Sequence, residues 1–333
     1  MDRHPVPLEL LEYFRVRGTY LIVSHVDPDG DCIGSSLALA GVLRREGNNV
    51  LLLNPGPFER SEIRQFSEQF LERIPDEIIK SRPPPRVVVL DVSTRDRIGK
   101  IGMQIEGLPI ATLDHHSSGD PFGDVRYIDA TAPATSFLVQ RTLEALGYPI
   151  GTEEAEHLLF ALSTDTGYFR FMDDSAGDVF SAVGRLLQAG ASPARTYHRM
   201  YGDRSLASRK VLSILLRRTR SYGDGRLLVT WQTARESLRY GEEDRDSMSL
   251  YQLLMTTKDC EVIVFLRPID RKTCSVSLRS LADIDVGKVA QKWGGGGHAR
   301  AAGFVAAQPL RKTRAELVSL FNRMLSADRS QPI

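Results

Sequence analysis

At 333 residues the chain exceeds the size at which a single hydrophobic core keeps growing, so two domains are the expectation. Its 43 Lys and Arg against 42 Asp and Glu leave a formal charge of +1, which argues against a broad basic track for long duplex nucleic acid but allows a local pocket for a small phosphorylated ligand. The three cysteines, Cys32, Cys260 and Cys274, are widely spaced and indicate neither a disulfide framework nor a thiolate zinc site; with no signal-like start and no apolar run near ~18 residues, the expectation is a cytoplasmic chain without membrane association.

From the N-terminus, four short runs rich in Val, Ile and Leu end in polar residues: TYLIVSH at 19–25, NVLLLN at 49–54, RVVVLDV at 86–92 and LPIATLDHH at 108–116. Continuous apolar runs of this kind suit the strands of a parallel sheet buried on both faces. Between the first two, GSSLALAGVLRREG predicts a helix with serine caps at its start and Gly47 as its stop. RPPPR at 82–86 leads into the third strand. EEAEHLLFALSTDTG and SAGDVFSAVGRLLQAG read as helices, the second closing at Gly190 with Pro193 shortly after. The basic, helical stretch 191–220 is expected to connect a first domain, 1–190, to a second, 221–333. There RLLVTWQ (226–232), CEVIVFLRP (260–268) and TCSVSLRS (273–280) predict strands, and DVGKVAQKW predicts a helix running into GGGGH.

Open α/β sheets bind ligands at the carboxyl ends of their strands, so polar residues falling there should converge. His25, Asp27, Asp29 and Asp31 follow the first strand, Asp91 ends the third, Asp114, His115 and His116 end the fourth, and Asp165 follows an apolar helix. Each aspartate alone reads as a turn former or helix cap. Gathered at one sheet edge they would repel and desolvate one another unless cations neutralised them. Carboxylates mixed with imidazoles, without thiolate, favour a hard to borderline divalent ion, Mn²⁺ ahead of Mg²⁺. Two such ions ~3.5 to 4 Å apart would use the whole set, in a geometry that hydrolyses phosphate esters.

HVDPDGD, LDV, LDHH and STDTG stand here in the order and approximate spacing of the DHH phosphoesterases, and GGGGHARAAGF (294–304) after SVSLRS resembles the accompanying DHHA1 domain. The resemblance extends over nearly the whole chain and is greatest to the subfamily of bifunctional oligoribonucleases and pAp phosphatases, with cyclic-di-AMP phosphodiesterases as the alternative. It implies an α/β fold, a parallel-sheet DHH domain with a smaller α/β DHHA1 domain across a cleft. It implies two Mn²⁺ ions, with Mg²⁺ or Co²⁺ as substitutes: His25 and Asp29 on the first, Asp31, His115 and Asp165 on the second, and Asp91 bridging. His116 would then assist the leaving oxygen and Asp114 would orient an imidazole. A homodimer is also implied.

The glycine run is expected to offer backbone N–H groups of Gly295, Gly296 and Gly297 to an anion, beside His298, with Arg279 as a bidentate phosphate contact. This division favours short single-stranded oligonucleotides and small nucleotides such as pApA and pAp. A pyrophosphatase or polyphosphatase would lack the GGGGH element, and a non-catalytic nucleotide sensor would be expected to lose ligands that are all present here. Asp27 is expected to be a turn residue, Cys32 helix-start packing, and His4, His157 and His198 ordinary histidines.

Overall fold

The computed structural model describes residues 4–120, 122–172, 176–202, 204–240, 246–281, 283–297 and 299–328. The chain divides into two compact units, Met1–Gly202 and Asp203–Ile333.

The first unit contains strands β1 (Thr19–Ser24), β2 (Asn49–Leu53), β3 (Arg86–Leu90), β4 (Ile110–Asp114) and β5 (Val125–Ile128), and helices α1 (Leu8–Arg15), α2 (Gly30–Arg45), α3 (Asp76–Ile79), α4 (Ile101–Gln104), α5 (Thr135–Leu146), α6 (Thr152–Asp165), α7 (Gly177–Gln188) and α8 (Pro193–Tyr201). The strands form one sheet in the order β2-β1-β3-β4-β5, parallel throughout. Alternation across the pleat explains the unbroken apolar runs. Tyr20 and Ile22 of β1 and Val88 and Leu90 of β3 enter the core formed with α1, α2, α5 and α6, whereas Leu21, Val23, Val87 and Val89 enter a second core with Ile98, Ile101 and Ile105. β5 escaped sequence reading because it is only four residues long and mostly not buried.

Two expectations change in this unit. α2 begins at Gly30, upstream of the expected serine caps, because the Asp29 carboxylate accepts the Asp31 and Cys32 backbone N–H groups at 3.0 and 3.2 Å. The stretch 191–220 is not one connecting helix: α8 belongs to the first unit and ends at Gly202, whose backbone turns extended, while the next helix, α9 (Leu206–Arg218), belongs to the second.

In the second unit, strands β6 (Arg220–Tyr222), β7 (Leu227–Trp231), β8 (Val262–Pro268), β9 (Cys274–Ser280), β10 (Gly296–Gly297) and β11 (Ala301–Ala306) form a mixed sheet in the order β10-β11-β9-β8-β7-β6, with only the β7–β8 pair parallel. Helices α10 (Ala234–Tyr240), α11 (Ser247–Met255), α12 (Val286–Gln291) and α13 (Leu310–Asp328) complete it. Leu317 and Phe321 of α13 and Val286 and Val289 of α12 cover one face of the sheet, and Val211, Leu215, Leu250 and Leu254 cover the other.

Candidate metal centre

β1 and β3 are neighbours, and the connections leaving them run to opposite sides of the sheet, the topological position where open α/β sheets form a crevice. His25 directly follows β1, Asp91 directly follows β3, and Asp114 is the last residue of β4. Asp91 takes a left-handed backbone conformation (φ +62°), a state costing a non-glycine residue about 1 to 3 kcal/mol and typical of functional sites.

Three groups of ligand atoms lie here, each with its atoms within 4.8 Å of one another: His25, Asp29, Cys32 and Asp91; Asp91, His115 and His116; and Asp31, His115 and Asp165. His25 Nε2 is 3.5 Å from Asp91 Oδ2 and 3.8 Å from Asp29 Oδ1. His115 Nε2 is 3.5 Å from Asp91 Oδ1 and 3.0 Å from Asp165 Oδ2. Asp91 and His115 thus each belong to two groups.

The surroundings orient these side chains. Asp31 is fully buried and accepts the Thr135 and Ser136 backbone N–H groups at 2.6 and 3.1 Å, at the positive N-terminus of α5. Thr135 Oγ1 donates to Asp91 Oδ1 at 3.0 Å. His25 Nδ1 lies 2.8 Å from the Val26 carbonyl, which turns Nε2 to the carboxylates. His116 Nδ1 is 2.6 Å from Asp114 Oδ1, and the His116 side chain is 41% exposed.

Burial, reinforced by the charges of Asp165 and Asp91, pushes the Asp31 carboxyl well above the usual carboxylate range. Burial likewise lifts Asp165 to about 6, although the hydrogen bond from His115 opposes it. Burial works against protonation of His115, yet Asp165, Asp31 and Asp91 outweigh it and raise the ring to about 10. His25 is also raised, against burial, by the Cys32 thiol and by Asp29 and Asp91. His116 is raised chiefly by its hydrogen bond to Asp114. Among the described residues, Arg60, 3.6 Å from Asp29 Oδ2, is the one guanidinium paired with this set, and the remaining crowded carboxylates face imidazoles, the donor set that divalent cations fit.

The DHH family N-terminal domain is matched over residues 19–162 and the DHHA1 domain over residues 232–327. A relative from Thermus thermophilus, the bifunctional oligoribonuclease and PAP phosphatase NrnA, is 32% identical over 289 residues, spanning 86% of this chain and 84% of that protein. The chain belongs to the DHH phosphoesterase family. The protein of the same name from Bacillus subtilis is 24% identical over 89% of this chain and 91% of its own length. The fold is shared with an exopolyphosphatase-related protein from Bacteroides fragilis, 22% identical with a TM-score of 0.84 over 98% of this chain and all of that one.

The residues expected to hold metal or act in catalysis, His25, Asp29, Asp31, Asp91, Asp114, His115, His116 and Asp165, all lie at this sheet edge, whereas Asp27 joins none of the three groups and is exposed in a left-handed turn (φ +54°). Two participants escaped sequence reading. Cys32, expected to be packing, places its thiol among His25, Asp29 and Asp91; nothing in its helical position announces this. Thr135 was signalled only by the helix-start pattern APATS.

In the DHHA1 domain, the Arg279 guanidinium lies 4.3 Å from the Tyr251 ring centroid and donates to the Leu278 carbonyl at 2.9 Å. The glycine run is in part an edge strand. A Cβ on Gly295 would meet the Gly303 carbonyl oxygen at 2.3 Å and one on Gly297 the Ala301 carbonyl oxygen at 2.5 Å, so these glycines permit close approach to β11, whereas Gly296 has open space. His298 lies outside the described residues.

Proposed function

We propose that the chain is a metal-dependent hydrolase of short oligonucleotides, including dinucleotides such as pApA, and of the 3′-phosphate of pAp. The observation that carries this reading is the sharing of Asp91 and His115 among carboxylate and imidazole groups at the mouth of a parallel sheet, in a family whose relatives are named for these activities. His25, Asp29 and Asp91 would hold one ion, and Asp31, His115 and Asp165, with Asp91 between, the other. Bound there, two divalent ions would supply an activated water and offset charge on the phosphoryl oxygens. The imidazole donors favour Mn²⁺, with Co²⁺ or Mg²⁺ as substitutes.

His116 acts on the leaving group. Its Nδ1 is committed to Asp114, which leaves Nε2 to face the substrate, and the hydrogen bond to Asp114 raises the ring's pKa, favouring the protonated form that donates to the departing oxygen. The free thiols of Cys32, Cys260 and Cys274 fit a reducing cytoplasm, and among the described residues no helix is long and apolar enough to cross a membrane.

The test is phosphate or nucleotide release from pApA, pAp, cyclic-di-AMP and pyrophosphate, side by side, with Mn²⁺ and with chelator. Turnover of pApA and pAp that chelator abolishes is the expected result. Preference for cyclic-di-AMP selects the phosphodiesterase alternative, and binding of these nucleotides without turnover selects a sensor.

A further inference from the structure

The segment following Asp165 holds three consecutive left-handed residues, as no other segment among the described residues of the first unit does. Gly167, Tyr168 and Phe169 take left-handed conformations in succession, φ +58°, +58° and +66°. Only glycine adopts this conformation freely, so two consecutive aromatic residues held there are strained. The surroundings impose it: the Tyr168 N–H donates to the Ser163 carbonyl at 2.7 Å, the Phe169 N–H to Thr166 Oγ1 at 3.1 Å, and the Tyr168 hydroxyl to the Pro193 carbonyl at 2.8 Å. The Tyr168 and Phe169 rings are taken up by neighbours, with ring centroids 5.3 Å from Tyr197 and 5.5 Å from Phe180.

What the turn presents outward is Arg170 and Phe171. Phe171 is 64% exposed, the most exposed aromatic side chain among the described residues of the first unit. Its ring rests on the Gly167 backbone: a Cβ on Gly167 would meet it at 2.4 Å. Arg170 donates Nε–H to the Gly167 carbonyl at 2.8 Å, and its guanidinium carbon lies 5.4 Å from the Phe171 ring centroid. An exposed ring and a guanidinium are therefore held, five and six residues beyond Asp165, against the backbone of Gly167, which is itself two residues beyond it; the Asp165 carboxylate is 3.0 Å from His115.

We propose that Phe171 and Arg170 form a nucleobase platform flanking the metal centre, with the Phe171 ring stacking on a base of the nucleotide next to the scissile phosphate and the terminal nitrogens of Arg170 contacting a phosphate of that strand. The occupant is a nucleotide because an aromatic face beside a cation, continuous with a phosphoesterase centre, matches the alternation of base and phosphate along a strand. Stacking reads the flat face that every base shares, so the platform accepts all bases but requires one. This inference rests on the function proposed above and deepens it.

The experiment compares pApA with an analogue carrying an abasic sugar at each position, on the wild-type chain and on Phe171→Ala and Phe171→Trp. The expected result is a KM for pApA raised about tenfold or more in Phe171→Ala, with kcat and metal content little changed, recovery in Phe171→Trp, and indifference of the abasic analogue to either substitution. Equal losses on both substrates, or no loss on pApA, overturn the platform. Calorimetric titration of both compounds, with Ca²⁺ in place of the activating ion, makes the same comparison independent of turnover. Binding of pApA weakened by Phe171→Ala in a chain that hydrolyses nothing would overturn the phosphoesterase reading alone, and equal binding of pApA by wild type and variant would overturn the platform alone.

Discussion

Asp91 is the residue on which the centre turns, since its two oxygens face His25 on one side and His115 on the other from a strained backbone. Asp91→Ala is expected to lose metal content and turnover together, read by elemental analysis alongside initial rates; full occupancy at a near-normal rate would reject a shared role. His116→Ala should keep its metal and lower kcat roughly 10²-fold or more, the scale of a lost acid or electrostatic contact. Loss of an ion in that variant, with both retained in His115→Ala, would exchange the roles of the two histidines. A third histidine works on stability. Burial, helped by Arg199, lowers His157 to about 4 from 6.5. The unfolded chain therefore binds this proton more readily than the folded one, so the stability contributed by the neutral ring is complete above pH 6.5 and is lost as pH falls through about 4, a difference of up to about 3 kcal/mol. Denaturant unfolding of wild type and His157→Gln at neutral pH and at about pH 4.5 should show the wild type losing more on acidification, and parallel losses would reject the linkage.

α2 and α6 bring their ligands together by close packing. A Cβ on Gly34 would meet the His157 carbonyl oxygen at 2.6 Å and the Ala161 Cβ at 2.8 Å, and one on Gly30 would meet Thr164 Cγ2 at 2.4 Å. This contact sets Asp31, near the start of α2, within ligand distance of Asp165 at the end of α6. Alanine gains about 0.5 to 1 kcal/mol over glycine inside a helix, but overpacking against a backbone carbonyl costs about 1 to 3 kcal/mol. The clash wins. Gly34→Ala should lower Tm by several degrees and weaken ion binding at the Asp31, His115 and Asp165 group, measured by thermal melts and metal titration. A lowered Tm with unchanged metal affinity would show that the helix spacing does not set the ligand geometry.

On the scale of the whole molecule, each unit carries its own cores and, on the reading proposed here, its own task. If Arg279 grips a substrate phosphate, its loss should cost ~1.5 to 3 kcal/mol, roughly one to two decades in kcat/KM on pAp or pApA, with little change on bis-p-nitrophenyl phosphate; equal losses on both would assign Arg279 to the fold instead. The α/β class, the principal strands and the family were legible in the chain because they are written locally: apolar runs that fill both faces of a sheet, polar residues at strand ends, and motifs in a set order. The short edge strands β5, β6 and β10 were not, because so few residues carry no periodicity. Nor was the break at Gly202, because the helical pattern runs on both sides of it. The sequence by itself determined which carboxylates and imidazoles stand at strand ends. Only the tertiary structure decided that Asp31 receives its N–H donors from Thr135 and Ser136, more than a hundred positions away, that Cys32 enters the first ligand group, and that Gly295 and Gly297 are required by β11. Each of these depends on how closely distant elements approach, a distance set by packing between segments and recorded in no single one of them.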